Sequence, residues 1–407
     1  MNNDELLSKC REYLEKLCVE IGDRSVGSPG NREAAVFFEE QISRLGWETE
    51  TQPFDAVDWN GGGAELSAED EQFRVLVSPY SLGFSGEGEL AAVSSRKELE
   101  ALNGAGKIIL LYGEIAKEQL MPKSFVFYNP EEHQKTVAAL EKSGAVALIC
   151  ATGRDGAAAA GVYPFPLIED GDFDVPSVYM TEEEGGRLLP YNGTRVKLVS
   201  RSERIPGTGW NVAARRAGIT GERIVVTAHI DAKKGTPGAI DNAAGAAILL
   251  LTAELLAGCD GRRTIEIVAF NGEDYFSVPG QMKYIELNQN RFDTISLNIN
   301  IDGAGYREGR TEFSFYDVPD DVLSKARKVI SRFPLIQEGK QWVQGDHSIF
   351  LHYGCPAIAV SSEWFIANIE TQDITHTPKD SIEIVDCRRV TEAARALAEL
   401  LRELGNG

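Results

Sequence analysis

From residue 208 onward the chain alternates short apolar runs with helix-forming stretches, and no other feature limits its fold as strongly. The runs RIVVTAHI (223–230), RRTIEIVAFNG (262–272), ISLNINIDGAG (295–305) and PAIAVSSE (356–363) read as strands. Uninterrupted apolar strands of this kind are buried on both faces, as in parallel sheets. Between and after them lie AAILLLTAELLAG (246–258), PGQMKYIELNQ (279–289), PDDVLSKARKVISRF (319–333) and CRRVTEAARALAELLREL (387–404), which read as helices. The expected fold class is α/β: a mixed, mostly parallel sheet sandwiched by helices, with a smaller inserted β-rich domain. In open sheets of this kind chemistry collects beyond the carboxyl ends of the strands.

At 407 residues the chain is too long for one ordinary core, so two domains are expected. The first 60 residues hold two predicted helices, 3–22 and 31–46, joined by the turn-rich Arg24–Gly30. From about Asn60 the texture changes to short segments separated by glycine-rich turns, with strands at GKIILLYG (106–113) and AVALICAT (145–152). Residues 61–199 are therefore expected to form a module inserted into a larger domain made of 1–60 and 200–407. The one histidine of that module, His133, sits beside Glu131 and Glu132 and is expected at the surface.

A formal charge of −21 disfavours nucleic acid and anionic membrane as partners. No run approaches the apolar length of a membrane span, and the charged amphipathic start lacks the pattern of a signal peptide. The six cysteines are scattered without CxxC spacing, as expected of reduced thiols in a cytoplasmic protein. A homo-oligomer is left open.

Polar clusters fall at the ends of the predicted strands of the larger domain: His229/Asp231, Asp241, Glu273/Asp274, Asp302 and His376. Imidazoles and carboxylates without a thiolate suit zinc or another first-row divalent ion, with manganese and cobalt left open by ligand type. The groups are too many for one tetrahedral ion. Two ions roughly 3.5–4 Å apart, sharing a carboxylate, match their number better. Taken alone, a His-x-Asp at a strand tip or an adjacent acid pair is more often structural; their recurrence at one sheet edge changes the balance.

The pieces AHID (228–231), GAIDNAAG (238–245), FNGED (270–274), NIDGAG (300–305) and THTPKDS (375–381), with GSPGNREAA (27–35), resemble the zinc aminopeptidases of peptidase family M28. The inserted module resembles, less specifically, a protease-associated domain. The resemblance implies the phosphorylase/hydrolase-like zinc exopeptidase fold and two Zn2+ ions. It implies that His229, Asp241 and Asp302 hold one ion and Asp241, Asp274 and His376 the other, with Asp241 as the bridge and a cis peptide after it. It makes Asp231 the acceptor that orients His229, and Glu273 the general base acting on a metal-bridging water, with peptides as substrates. Asp274 stands where the family more often has Glu, and YFSVPGQMKY departs from the usual Gly-rich continuation. His347, in QGDHSIF, could donate to a substrate carbonyl or oxyanion, or could simply be structural. Trp342, Trp364 and Phe365 could wall a pocket or belong to the core. Carboxypeptidase, N-acyl amino-acid deacylase and glutaminyl cyclase chemistry share this ligand set, and a non-catalytic binding protein on the same scaffold is a further alternative.

Overall fold

The computed structural model describes residues 2–154, 159–259 and 261–405. Its contacts divide into two compact units. One comprises Met1–Ala56, Thr208–Ile369 and Ile374–Gly407; the other comprises Val57–Gly207 and Glu370–Asp373. The second unit thus extends past the expected 61–199 at both ends and takes in a short segment near the carboxyl end.

The first unit is built on a mixed, mostly parallel sheet. Its spatial order is Ile336–Glu338, Thr311–Tyr316, Ala357–Ser362, Ile295–Ile301, Arg223–His229, Thr264–Phe270 and the carboxyl-terminal part of Arg195–Arg216. The four strands from Ala357–Ser362 to Thr264–Phe270 are parallel. Antiparallel neighbours flank them, Thr311–Tyr316 on one side and residues 212–216 on the other. The register brings Phe270 level with His229 and Asn300 level with Thr227. The residues just beyond these strands, including Asp302, therefore emerge at one edge.

Helices supply the rest of this core. Ala244–Leu255 is buried from Ala244 through Glu254, which explains its nearly unbroken apolar sequence. The terminal helix Cys387–Gly405 is amphipathic and buries Val390, Ala394, Leu397, Leu401 and Leu404. Both amino-terminal helices join the same core through Leu6, Leu14, Ala34, Phe38 and Ile42. The first, Asn3–Glu15, starts at a capping box between Asn2 and Glu5 and passes into a wider-wound turn over Lys16–Ile21. The second, Pro29–Arg44, has Pro at its first turn and Ser28 as its cap. Leu250→Ala should cost about 2–5 kcal/mol, because the side chain is wholly buried and the structure around such a cavity relaxes only in part. Denaturant unfolding checks this.

In the second unit Phe84–Val93, Ile108–Leu111, Ala147–Thr152 and Ser177–Thr181 form a parallel set. Leu76–Val77 closes one end antiparallel. The inserted unit is therefore α/β in texture, with helices such as Glu131–Lys142 packing Val137 and Leu140 on the sheet. His133 is no free surface group: its Nδ1 accepts from the Met121 N–H at 3.1 Å, and its Nε2 lies 3.2 Å from Glu118. Among the described residues no helix is long and apolar enough to cross a membrane.

Candidate metal centre

His229 is the last residue of its strand, Asp302 follows directly on Ile295–Ile301, and Glu273 and Asp274 lie in the loop after Thr264–Phe270. Asp241 sits in the short turn before the buried helix Ala244–Leu255, and its bond to Asn242 is cis. His376 arrives from the loop before the terminal helix, with a left-handed backbone at φ 62°.

The side chains converge on Asp241. Its Oδ1 lies 3.1 Å from His229 Nε2, and its Oδ2 lies 3.2 Å from His376 Nε2. Each oxygen thus faces a different imidazole. His229 Nε2 is also 3.6 Å from Asp302, and His376 Nε2 is 2.9 Å from Asp274. Donor atoms of His229, Asp241 and Asp274 all fall within 4.8 Å of one another. Glu273 is only half-buried beside the buried Asp274.

The electrostatics call for positive charge. Asp231, Asp241, Asp274, Asp302, Asp346 and Asp380 are all buried. Burial works against a charged His229, yet the nearby carboxylates of Asp231, Asp241 and Asp302 outweigh it and raise the imidazole pKa well above its ordinary value. Burial likewise opposes the charged form of His376, and Asp274 and Asp241 overcome it. For Asp241 the two imidazoles overcome burial and hold the carboxyl far below its usual range. Glu273 moves the other way: burial raises it well above the ordinary value, and Asp302, Asp274 and Asp346 add to the effect against His229. Burial pushes Asp346 up to about 7.

The residues fit a metal. His229 Nε2 and Asp274 Oδ2 are buried and have no hydrogen-bond partner. Orphaned polar atoms of this kind are costly unless something coordinates them. Nitrogen and carboxylate donors, with no thiolate, are the set that zinc accepts.

Asp231 behaves differently from the expectation. Its Oδ1 is 3.7 Å from His229 Nδ1, too long for a hydrogen bond. Its carboxylate instead accepts the backbone N–H groups of Gly272 at 2.7 Å, Glu273 at 3.4 Å and Asp274 at 3.1 Å. It grips the loop that carries the acid pair. Gly272 has φ 114°, and a Cβ there would come within 2.9 Å of Pro279, so glycine is required. Asn31 and Asn271 exchange side-chain amide hydrogen bonds at 2.8 and 2.9 Å, tying this loop to the start of Pro29–Arg44. The segment GSPGN thus has a task at the site that its sequence does not announce.

His347 is buried, and its Nε2 lies 3.2 Å from the Trp342 carbonyl oxygen. A carbonyl only accepts, so Nε2 carries the proton. Burial pushes this imidazole down to about 4, which keeps it neutral. The expected donation from His347 to a substrate therefore has no free N–H to come from, because Nδ1 is left as an acceptor. Trp342 is buried with its carbonyl and N–H both on Tyr316, in keeping with a structural wall. Arg24, Asp346 and Asp380 lie around the centre without a role in the sequence reading; nothing in their spacing marks them, although Asp380 belongs to the THTPKDS piece.

Comparison with known proteins agrees with this picture. Residues 211–401 match the sequence model of Peptidase family M28. A probable lipoprotein aminopeptidase of Mycobacterium tuberculosis is 26% identical over 314 residues, covering 74% of this chain and 59% of that protein. The chain thus spans less than two thirds of that relative's length. An aminopeptidase from Aneurinibacillus sp. strain AM-1 superposes with a TM-score of 0.76 at 19% identity, covering 100% of this chain and 94% of that one. A zinc aminopeptidase from Bacillus subtilis gives a TM-score of 0.74 at 19% identity, over 98% and 95% of the two chains. At such identities the superpositions establish the fold. Fold, family match and donor cluster together define an M28-like scaffold whose strand ends converge on a site suited to a metal ion.

Proposed function

We propose that the protein is a dinuclear zinc aminopeptidase that removes amino-terminal residues from peptides. The observation that carries this reading is Asp241, whose two carboxylate oxygens face two different imidazoles. His229, Asp241 and Asp302 would hold one ion, and Asp241, Asp274 and His376 the other. Zinc bound there would polarise the scissile carbonyl and make water a competent nucleophile at neutral pH.

The chain's own groups do the rest. Glu273, half-buried at the edge of the cluster, accepts the proton from the attacking water at its carboxylate and returns it to the leaving amine. Asp231 fixes the peptide planes on both sides of Glu273, so that the base and the ligand Asp274 point in separate directions. The buried carboxylates offer a counter-charge to a substrate's free amine. The module between residues 61 and 199 is read as protease-associated-like.

A panel of free-amine and amino-blocked peptides tests the assignment. Free-amine peptides should be cleaved from the amino terminus, and blocked ones should be inert. Release from the carboxyl end, deacylation of blocked substrates or cyclisation of amino-terminal Gln would move the protein to one of the other reactions this fold supports. Fewer than one equivalent of zinc bound after reconstitution would instead favour a binding protein on the same scaffold.

A further inference from the structure

The turn that carries Asp241 is gripped from two sides by buried charges that no ligand set includes. On one side stands Asp380, wholly buried and four residues beyond His376. Its Oδ1 accepts the N–H of Ile240 at 2.8 Å and its Oδ2 the N–H of Asp241 at 3.1 Å. Its own carbonyl accepts the N–H of Ala239 at 3.1 Å. On the other side stands Arg24, equally buried. Its guanidinium donates to the carbonyls of Gly238 at 2.8 Å, Pro237 at 2.7 Å, Ile230 at 2.9 Å and Leu17 at 2.8 Å.

The turn has no slack between them. Gly238 is left-handed at φ 56°, and a Cβ on it would lie 2.5 Å from the Asp241 carbonyl oxygen and 2.8 Å from Arg24 Nη2. A carboxylate that accepts two successive N–H groups fixes the orientation of both peptide planes. The direction of the Asp241 side chain follows from those planes. Burying Asp380 and Arg24 is costly unless their charges are used, and here each is spent on backbone groups of this one turn and its neighbours.

The geometry points to Asp380 as a positioning residue for Asp241, with Arg24 as its counterpart on the carbonyl side of the turn. Through them the loop of His376 and the first helices are coupled to the carboxylate that two ions would share. This rests on the metal reading above, and the test separates the two.

Asp380→Asn puts an amide NH2 against one of the two N–H donors. Asp170→Asn is the control: Asp170, in the other unit, is also buried and also accepts two backbone N–H groups, from Lys123 and Asp172, both at 2.8 Å. Zinc affinity is measured on the metal-free full chain by competition with a chelator, and the visible spectrum is recorded on the cobalt(II)-loaded chain. Asp380→Asn should weaken zinc binding by about 10–100-fold and alter the cobalt spectrum. Asp170→Asn should change stability alone. Zinc affinity and cobalt spectrum indistinguishable from wild type in Asp380→Asn would overturn the assignment, as would equal losses in both variants. If Asp380→Asn does not fold, Arg24→Lys carries the test: it keeps the charge and loses the fork of carbonyl contacts, and unchanged zinc affinity in it counts against the proposal. Wild-type protein that takes up no zinc sinks the metal reading itself.

Discussion

Glu273→Gln is expected to lower turnover of an aminoacyl amide by about 10²–10⁴-fold, the range a positioned general base contributes. Zinc content should stay at the wild-type level. The substitution keeps the size of the side chain and leaves the backbone N–H of residue 273 free to bond Asp231. It removes only the capacity to hold a proton. Because Asp274, not Glu273, lies 2.9 Å from His376, the donor cluster should survive intact. Steady-state kinetics and elemental analysis of the same preparation read both outcomes. The fall should appear in kcat with KM little changed, since the base acts in the transition state and contributes little to ground-state binding. Full activity in this variant would remove Glu273 from the mechanism. Lost metal would make it a ligand.

The architecture of the first unit was legible because its strands are buried on both faces. Runs such as IVVTAH and IEIVAF leave little choice but a covered parallel sheet, and the register then carries His229 and Asp302 to the same edge. The strand Thr311–Tyr316 was missed although TEFSFY alternates in the period of a strand. It is short, it pairs antiparallel with Ala357–Ser362, and it falls where a simple strand–helix alternation expects only a connection. The inserted unit's short, glycine-punctuated strands suit a β-rich or an α/β module alike, and packing makes it a parallel α/β layer.

The candidate site divides along a similar line. Groups that face the cluster carry distinctive chemistry at strand ends and could be picked out by residue type. Groups that aim the cluster could not. The family resemblance sets Asp231 against His229, yet its carboxylate turns to the Gly272–Asp274 backbone. Asn31, Arg24 and Asp380 bond mainly to backbone atoms or to another amide far away in sequence. Such contacts leave no spacing to read. Only the three-dimensional path of the chain brings residues 24, 240 and 380 together.

Asp241→Ala should have the largest effect on metal of any single change: both equivalents of zinc should weaken by more than about 100-fold, beyond what loss of an outer-shell partner costs. Asp302→Ala and His376→Ala should each weaken one equivalent and largely spare the other. The distinction follows from geometry. Asp302 lies 3.6 Å from His229 on one side, while His376 meets Asp274 at 2.9 Å on the other, and among the described residues Asp241 alone offers an oxygen to each imidazole. Without that carboxylate the two halves have no common ligand, and the buried acids Asp274 and Asp302 are left to face each other with fewer cations between them. Metal removal from the wild type by a chelator should abolish activity, and added zinc should restore it; in Asp241→Ala zinc at wild-type loading concentrations should not. A titration in which Asp241→Ala loses a single equivalent, with the second bound as tightly as before, would show that the carboxylate serves one ion only. Glu273 would then need a nucleophile held by a single centre, and Asp380 would be positioning a terminal ligand in place of a bridge.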